Sequence, residues 1–379
     1  MFFQSLANKF ELARGGSKNN VRPMEGLRGF AVLLVFFVHY ADLVRPWIAE
    51  DGPLIALCHA LAVIGQSGVD LFFVLSGYLI YGSLLSRHQA FLPFMLRRVE
   101  RLYPAFSAVF VVYIALSFAF PAESKIPEQP AAGALYLLQN FLLLPGLVPI
   151  QPMITVAWSL SYELFYYLLI PVLIAVFKLR TRSSAWRTSF FLILAALCAI
   201  GIQNGRIHLL MFVAGIVLFE ALEHSRLRLS STAGLVALIL GLMSMLLPIP
   251  EPMGTTVKVG ILCVAFFVLC LACFRAPRDW LPAAFGWTPL RWLGNMSYSY
   301  YLLHGLALKG GFLLLSKLAP PKGDQPALFW ALLPVMFALT LVASSLLFLL
   351  IERPFSLAPR RERGAPRLLQ AASASESGS

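Results

Sequence analysis

The sequence predicts an all-α, polytopic integral membrane protein of about ten transmembrane helices with both termini in the cytoplasm. Three observations carry this prediction. Of the 379 residues, 59% are hydrophobic and 13% charged, with a mean hydropathy of +0.77, whereas a soluble domain carries about a quarter charged residues. Apolar runs recur from residue 29 to residue 351 with no polar stretch long enough to form a separate soluble domain. The formal net charge of +12 sits in clusters between those runs, which suits membrane topology rather than a nucleic-acid surface, and apolar content this high excludes a disordered chain.

A spanning helix needs roughly 17–25 mostly apolar residues, because in lipid its backbone must satisfy its own hydrogen bonds. Runs of this kind cover 27–44, 66–85, 104–120, 157–177, 189–203, 207–222, 232–249, 258–274, 296–316 and 327–351. An eleventh run, 133–145, is short, carries Gln139 and Asn140, and ends in Leu144-Pro145-Gly146. It reads as a re-entrant or interfacial segment within a proline-rich excursion over 121–156. Lysine and arginine collect on the cytoplasmic side of short loops. With ten crossings, the clusters Lys9–Arg28, Arg87–Arg101, Lys178–Arg187, Arg226 with Arg228, Arg275–Arg291 and Arg353–Arg367 share that side and hold 23 of the 30 basic residues. An eleventh crossing would strand some of them on the other side.

The chain therefore divides into a cytoplasmic segment (1–24), a membrane domain (25–357) and an Arg-, Ala- and Ser-rich tail (358–379) expected to be disordered. No internal repeat supports an inverted-repeat transporter. The first apolar run ends at His39-Tyr40-Ala41-Asp42 rather than at a small-residue cleavage site, so no cleavable signal peptide is expected. Cys58 falls in a connecting segment and the other four cysteines in apolar runs. Cys270 and Cys273 form a CxxC among Leu, Val and Ala, where cysteine serves as a small apolar residue and no metal is expected.

Ionisable groups inside a bilayer are costly, which makes each one a functional candidate. They are Arg28, His39 and Asp42 in the first run, Asp70 in the second, Glu163 in the fourth, and His304 and Lys309 in the ninth. Arg28 and His39 are eleven positions apart, three helical turns plus about 20°, so they share one face about 16 Å apart. From spacing alone, Arg28 reads equally as a topology anchor and His39 as a packed histidine.

Several motifs extend this pattern. Met24 to Ala31 with His39 gives R-x10-H. Gly68 to Tyr78 reads GVDLFFVLSGY, Arg97 to Pro104 reads RRVERLYP, Trp158 to Tyr166 reads WSLSYELFY, Leu293 to His304 reads LGNMSYSYYLLH, and Glu352-Arg353-Pro354 closes the set. In this order, from about Arg22 to Phe355, they resemble the membrane-bound acyltransferase 3 family. The resemblance implies ten core helices and transfer of an acyl group, usually acetyl, from cytoplasmic acyl-coenzyme A to a hydroxyl of a glycan or other secondary product. It covers the membrane core and no second catalytic domain.

Under that resemblance His39 is the base that takes the hydroxyl proton, since neutral imidazole suits the task. Glu163, on a helix that enters from outside, is expected beside it as the acid that orients the imidazole. Arg28, Arg98 and Arg101 are expected to hold the coenzyme phosphates through bidentate guanidinium contacts. Ser76 and Tyr78, flanking Gly77, line a donor tunnel or else pack helices. His304 and Asp70 are pocket residues, and Trp47, Trp158 and Tyr162 are interface anchors. The expected partners are acetyl-CoA or another acyl-CoA, a glycan or glycolipid acceptor and the bilayer of a bacterial inner membrane, with no metal and no nucleic acid. Acylation of a glycosylated metabolite and a non-enzymatic acyl or substrate carrier stand as alternatives, and the oligomeric state stays open.

Overall fold

The computed structural model describes residues 2–12, 21–48, 52–87, 89–201, 206–251, 253–323 and 325–357. The predicted tail, 358–379, lies outside the described residues. Fourteen helices follow in order: α1 (Phe2–Phe10), α2 (Val21–Val44), α3 (Pro53–Ser86), α4 (Phe91–Ala119), α5 (Pro130–Phe141), α6 (Ala157–Val176), α7 (Ser184–Gly201), α8 (Met211–His224), α9 (Ser231–Ser244), α10 (Met253–Arg275), α11 (Trp280–Phe285), α12 (Thr288–Asn295), α13 (Ser297–Leu318) and α14 (Pro326–Leu347). The end of α14 widens into a π-helical stretch, Phe348–Leu357. No strand forms among the described residues. The chain is an all-α polytopic membrane protein.

Seven helical segments are long and apolar enough to cross a bilayer: α2, α3, α4, α6, α8, α10 and α14 with their short extensions. The other three predicted runs also form helices. Of these, α7 and α9 are shorter apolar helices, and α13 is diluted by Ser297, Ser299, His304, Lys309 and Lys317. The short run becomes α5, whose twelve residues rise about 18 Å, well under the roughly 30 Å of a hydrocarbon core.

Two helices start furthest from the sequence expectation. α3 begins at Pro53, so it runs for 34 residues, about 51 Å, and Cys58 is a buried helical residue rather than part of a connection. α4 begins at Phe91 and carries Arg97, Arg98 and Arg101 within its helix. The added start of α3 is itself largely apolar, with Pro53 in its first turn, where a fixed φ suits a helix start, and the added start of α4 carries Leu, Met, Arg and Glu, which are good helix formers.

Small residues bring the central helices together, as expected where lipid offers no hydrophobic drive for association. A Cβ on Gly77 of α3 would stand 2.2 Å from the Phe212 carbonyl oxygen of α8, and one on Gly215 would stand 2.0 Å from that of Val74. The α3–α8 crossing is therefore closed to any larger residue. At the basic end, α1 docks through Phe10, stacked on Phe348 at 5.7 Å, and through Glu11, which pairs with Arg291 at 2.6 Å. Arg291 also donates to the buried Glu25 of α2.

Candidate active site

Two cavities meet inside the bundle. The first, of about 150 Å³, takes Arg28 from α2, Ser76 from α3, Arg98 and Arg101 from α4, Ser159, Glu163 and Tyr167 from α6, and Ser297, Tyr298 and Tyr301 from α13. Each arginine is held in place. Arg28 donates to Ser297 Oγ at 2.8 Å. Arg98 lies over the rings of Phe94 and Tyr167, 5.1 Å from each centroid. Arg101 pairs with Glu352 at 2.5 Å and covers the Tyr298 ring. Glu352 is fully buried, and its second oxygen accepts from the Ser299 backbone N–H at 3.0 Å and from the Ser299 hydroxyl. Glu163 accepts a hydrogen bond from Tyr167 Oη.

The second cavity, of about 220 Å³, is lined by Val35, Val38 and His39 of α2, Gln66, Val69 and Asp70 of α3, Thr155, Val156, Trp158, His208 and Tyr301. Asp70 Oδ1 is 2.7 Å from His208 Nδ1, while its Oδ2 is buried without a hydrogen-bond partner. Behind His39 stands His304, fully buried, with ring centroids 4.9 Å apart. Val69 and Tyr301 line both cavities. Tyr301 Oη is pinned between Ser159 Oγ at 2.7 Å and the Val156 carbonyl at 3.1 Å, so the tyrosine forms the divide.

The structure thus brings Arg28, Ser76, Arg98 and Arg101 together in one cavity, and His39 and Asp70 together in the other with His304 behind them. It does not bring Glu163 to His39. α6 passes both cavities: Trp158 lines the histidine side, whereas Ser159, Leu160, Glu163 and Tyr167 line the arginine side. Glu163, one turn on from Ser159, lines the arginine cavity and not the one that holds His39. Tyr78 does not line either cavity. Its ring meets Phe219 and Phe274, which leaves Ser76 as the cavity residue of that pair.

The expected interface anchors turn inward. Trp47 is buried and donates to the Ala319 carbonyl, Trp158 lines the histidine cavity, and Tyr162 packs on Phe73. Lys309 is half exposed and pairs with Glu123 of the 121–156 excursion. Bonded to that ammonium, the Glu123 carboxyl is held below the usual carboxylate range.

Three groups escaped the motif-based reading. His208 follows the same rule that flags His39, an ionisable side chain at the edge of an apolar run. Glu352 is visible only as part of a terminal motif, without a partner. Glu220 lies within an apolar run yet is buried in a network with Arg187, Tyr81 and Ser184, a staple for α3, α7 and α8 remote from both cavities.

The arginine-lined cavity thus abuts the histidine-lined one across Tyr301 and Val69. The acyltransferase 3 family, described as an acyltransferase domain, matches residues 23–349, and the chain belongs to it. The chain is a multi-pass membrane O-acyltransferase. It is 26% identical over 364 residues to an acyltransferase, MdmB, of Streptomyces mycarofaciens, covering 87% of this chain and 90% of that protein. It is 27% identical over 380 residues to the peptidoglycan O-acetyltransferase OatA of Listeria monocytogenes, covering 89% of this chain. There the chain spans only 56% of the relative's length. An O-acetyltransferase of Staphylococcus aureus is 31% identical over 163 residues, 40% of this chain and 24% of that protein. No solved structure matches.

Proposed function

We propose that the protein transfers an acetyl group from cytoplasmic acetyl-coenzyme A, bound in the arginine cavity, to a hydroxyl of a glycan or lipid-linked sugar held in the histidine cavity. The observation that carries this reading is the adjacency of the two cavities across Tyr301 and Val69. Arg28 and His39 face them from one helix, about 16 Å apart. Three guanidinium groups fit a ligand that carries several phosphates, because their forked donors match phosphate oxygens. Ring-stacked and carboxylate-held arginines are also pre-oriented, so little side-chain entropy is lost on binding.

His39 removes the acceptor hydroxyl proton as that oxygen attacks the thioester carbonyl. The carbon–sulfur bond breaks, and the same proton passes from His39 to the leaving thiolate, which restores the imidazole. Glu163 serves the donor side, where it and Tyr167 balance Arg98 and Arg101. Asp70, His208 and Trp158 offer a carboxylate, an imidazole and an aromatic face to a sugar. The Listeria relative, named for peptidoglycan, supports a glycan acceptor. The basic clusters support ten crossings with both termini in the cytoplasm of a bacterial inner membrane. Reporter fusions after Arg101, Arg187 and Arg291 should all read cytoplasm, and an outward reading at Arg187 would overturn that topology.

The test is transfer of label from radiolabelled acetyl-coenzyme A by purified, reconstituted protein. Label on a glycan acceptor supports the reading, and label on a glycosylated small metabolite would change the acceptor class alone. Label that crosses the vesicle wall without reaching any acceptor would replace the enzyme with a carrier.

A further inference from the structure

We infer that His304 is the positioning residue of His39: its Nε2 accepts the N–H of the His39 ring and so fixes which His39 nitrogen faces the acceptor as base. This rests on the reading of His39 as the base. A histidine base needs an acceptor on its far nitrogen to hold it in one tautomer, a task usually done by a carboxylate. Two of the nearby carboxylates are engaged elsewhere. Glu163 is in the other cavity, bonded by Tyr167. Asp42, half exposed, faces Arg45 at 3.8 Å. Asp70 holds His208 through one oxygen, while its other oxygen has no hydrogen-bond partner, so Asp70→Asn is the control that separates its role from that of His304.

His304 has the chemistry to take their place. Its Nδ1 is 2.9 Å from the backbone carbonyl of Tyr300, one turn earlier in α13. A carbonyl only accepts, so Nδ1 carries the hydrogen, and in a neutral ring Nε2 is then a lone-pair acceptor. That Nε2 is buried and has no hydrogen-bond partner, which is costly unless something fills the position in the working enzyme. The His39 ring lies 4.9 Å away, centroid to centroid, tilted by 54°. At this spacing the two rings are close enough for one N–H···N bond of about 3 Å once the His39 ring turns its N–H toward His304. Stacking of His304 on the Tyr300 ring, at 5.3 Å and 9°, keeps the acceptor from rotating away. During transfer the hydroxyl proton adds to the cavity-facing nitrogen of His39 and later leaves on the thiolate. The N–H shared with His304 stays in place throughout.

The experiment measures kcat, acceptor KM and acetyl-coenzyme A affinity for His304→Leu, His304→Gln, His39→Gln and the His39→Gln/His304→Leu double variant. His304→Leu should lower kcat at least ~100-fold, the scale of general-base loss, with KM and donor affinity unchanged. His304→Gln, whose amide can donate to Tyr300 and offer oxygen to His39, should recover kcat to within ~10-fold of the parent. The double variant should be no worse than His39→Gln alone, because the two residues act as one unit. Nitrogen-15 spectra of histidine-labelled parent protein should show His304 protonated on Nδ1 and bare on Nε2. The opposite tautomer would overturn the inference without any variant having to fold. It is also overturned if His304→Leu keeps its kcat, or if Asp70→Asn rather than His304→Leu removes it. An active His39→Gln would instead sink the underlying assignment of the base.

Discussion

In the arginine cavity every guanidinium already has a protein partner, Ser297 for Arg28, two aromatic faces for Arg98 and Glu352 for Arg101. Across Tyr301, the histidine cavity presents a buried acceptor atom without a partner, Asp70 Oδ2. The contrast separates two ways of building a site. Cations already held in place suit a large polyanion, whose phosphates meet pre-oriented donors. A bare acceptor suits a ligand rich in hydroxyl donors, because a hydroxyl that reaches it relieves a buried, unsatisfied group. Donor and acceptor chemistry can therefore be disturbed one at a time.

The largest expected effect is on His39. His39→Gln should reduce transfer by ~10²–10⁴ or more while donor affinity stays at the parent value, with label transfer and equilibrium donor binding measured on the same preparation. If both fell together, the cavities would not be separable. Next, Arg28→Ala and Arg101→Ala should each weaken acetyl-coenzyme A by about 10- to 100-fold, the scale of a lost hydrogen bond to a charged group, with acceptor KM unmoved. Arg98→Lys keeps the charge and loses the fork and the ring contacts, so its loss should be smaller but confined to the donor. Donor binding equal to the parent in both alanine variants would return these arginines to topology anchors.

A sharper test uses Glu352, which touches the arginine cavity only through Arg101. Glu352→Gln should lower thermal stability in detergent by about 1–3 kcal/mol, less than the loss on removing a buried charge outright. Donor affinity should fall less than in Arg101→Ala. On the other side, Asp70→Asn should raise acceptor KM by about tenfold and leave donor affinity alone. Smallest of all, Lys309→Gln removes an exposed pair outside both cavities and should change neither affinity nor stability measurably.

The fold is largely legible because bilayer thickness acts on sequence directly: each of the ten apolar runs forms helix among the described residues, and the helix in the 133–145 run is too short to span. Helix starts escaped this logic, since hydropathy marks where a chain is apolar and not where its helix begins: the basic start of α4 is not apolar, and the apolar start of α3 opens on Pro53 and is interrupted by His59. The R-x10-H spacing was readable because one helix fixes it. Pairings between helices were not: Asp70 with His208 is set by the close α3–α8 approach, and Arg101 with Glu352 by the last helix. Glu163 shows the limit most clearly. Its helix and direction were predicted, but a displacement of little more than one turn across Tyr301 decides which cavity it serves.

The widened end of α14 has a consequence in time. Arg101 emerges from the ribosome long before its partner Glu352, which lies 251 residues later in the chain. N-terminal parts of a protein fold first during synthesis, so the guanidinium waits in an incomplete bundle until α14 inserts. The extra residue that a π-turn accommodates relative to an α-turn sets the angular position of Glu352 against Arg101 and Ser299. A one-residue deletion within 348–357 would rotate that carboxylate by about 100° around the helix axis and leave a fully inserted bundle unable to finish its donor side. Completion of the arginine cavity thereby becomes a late step of biogenesis, enforced by a segment made 251 residues after the arginine it holds.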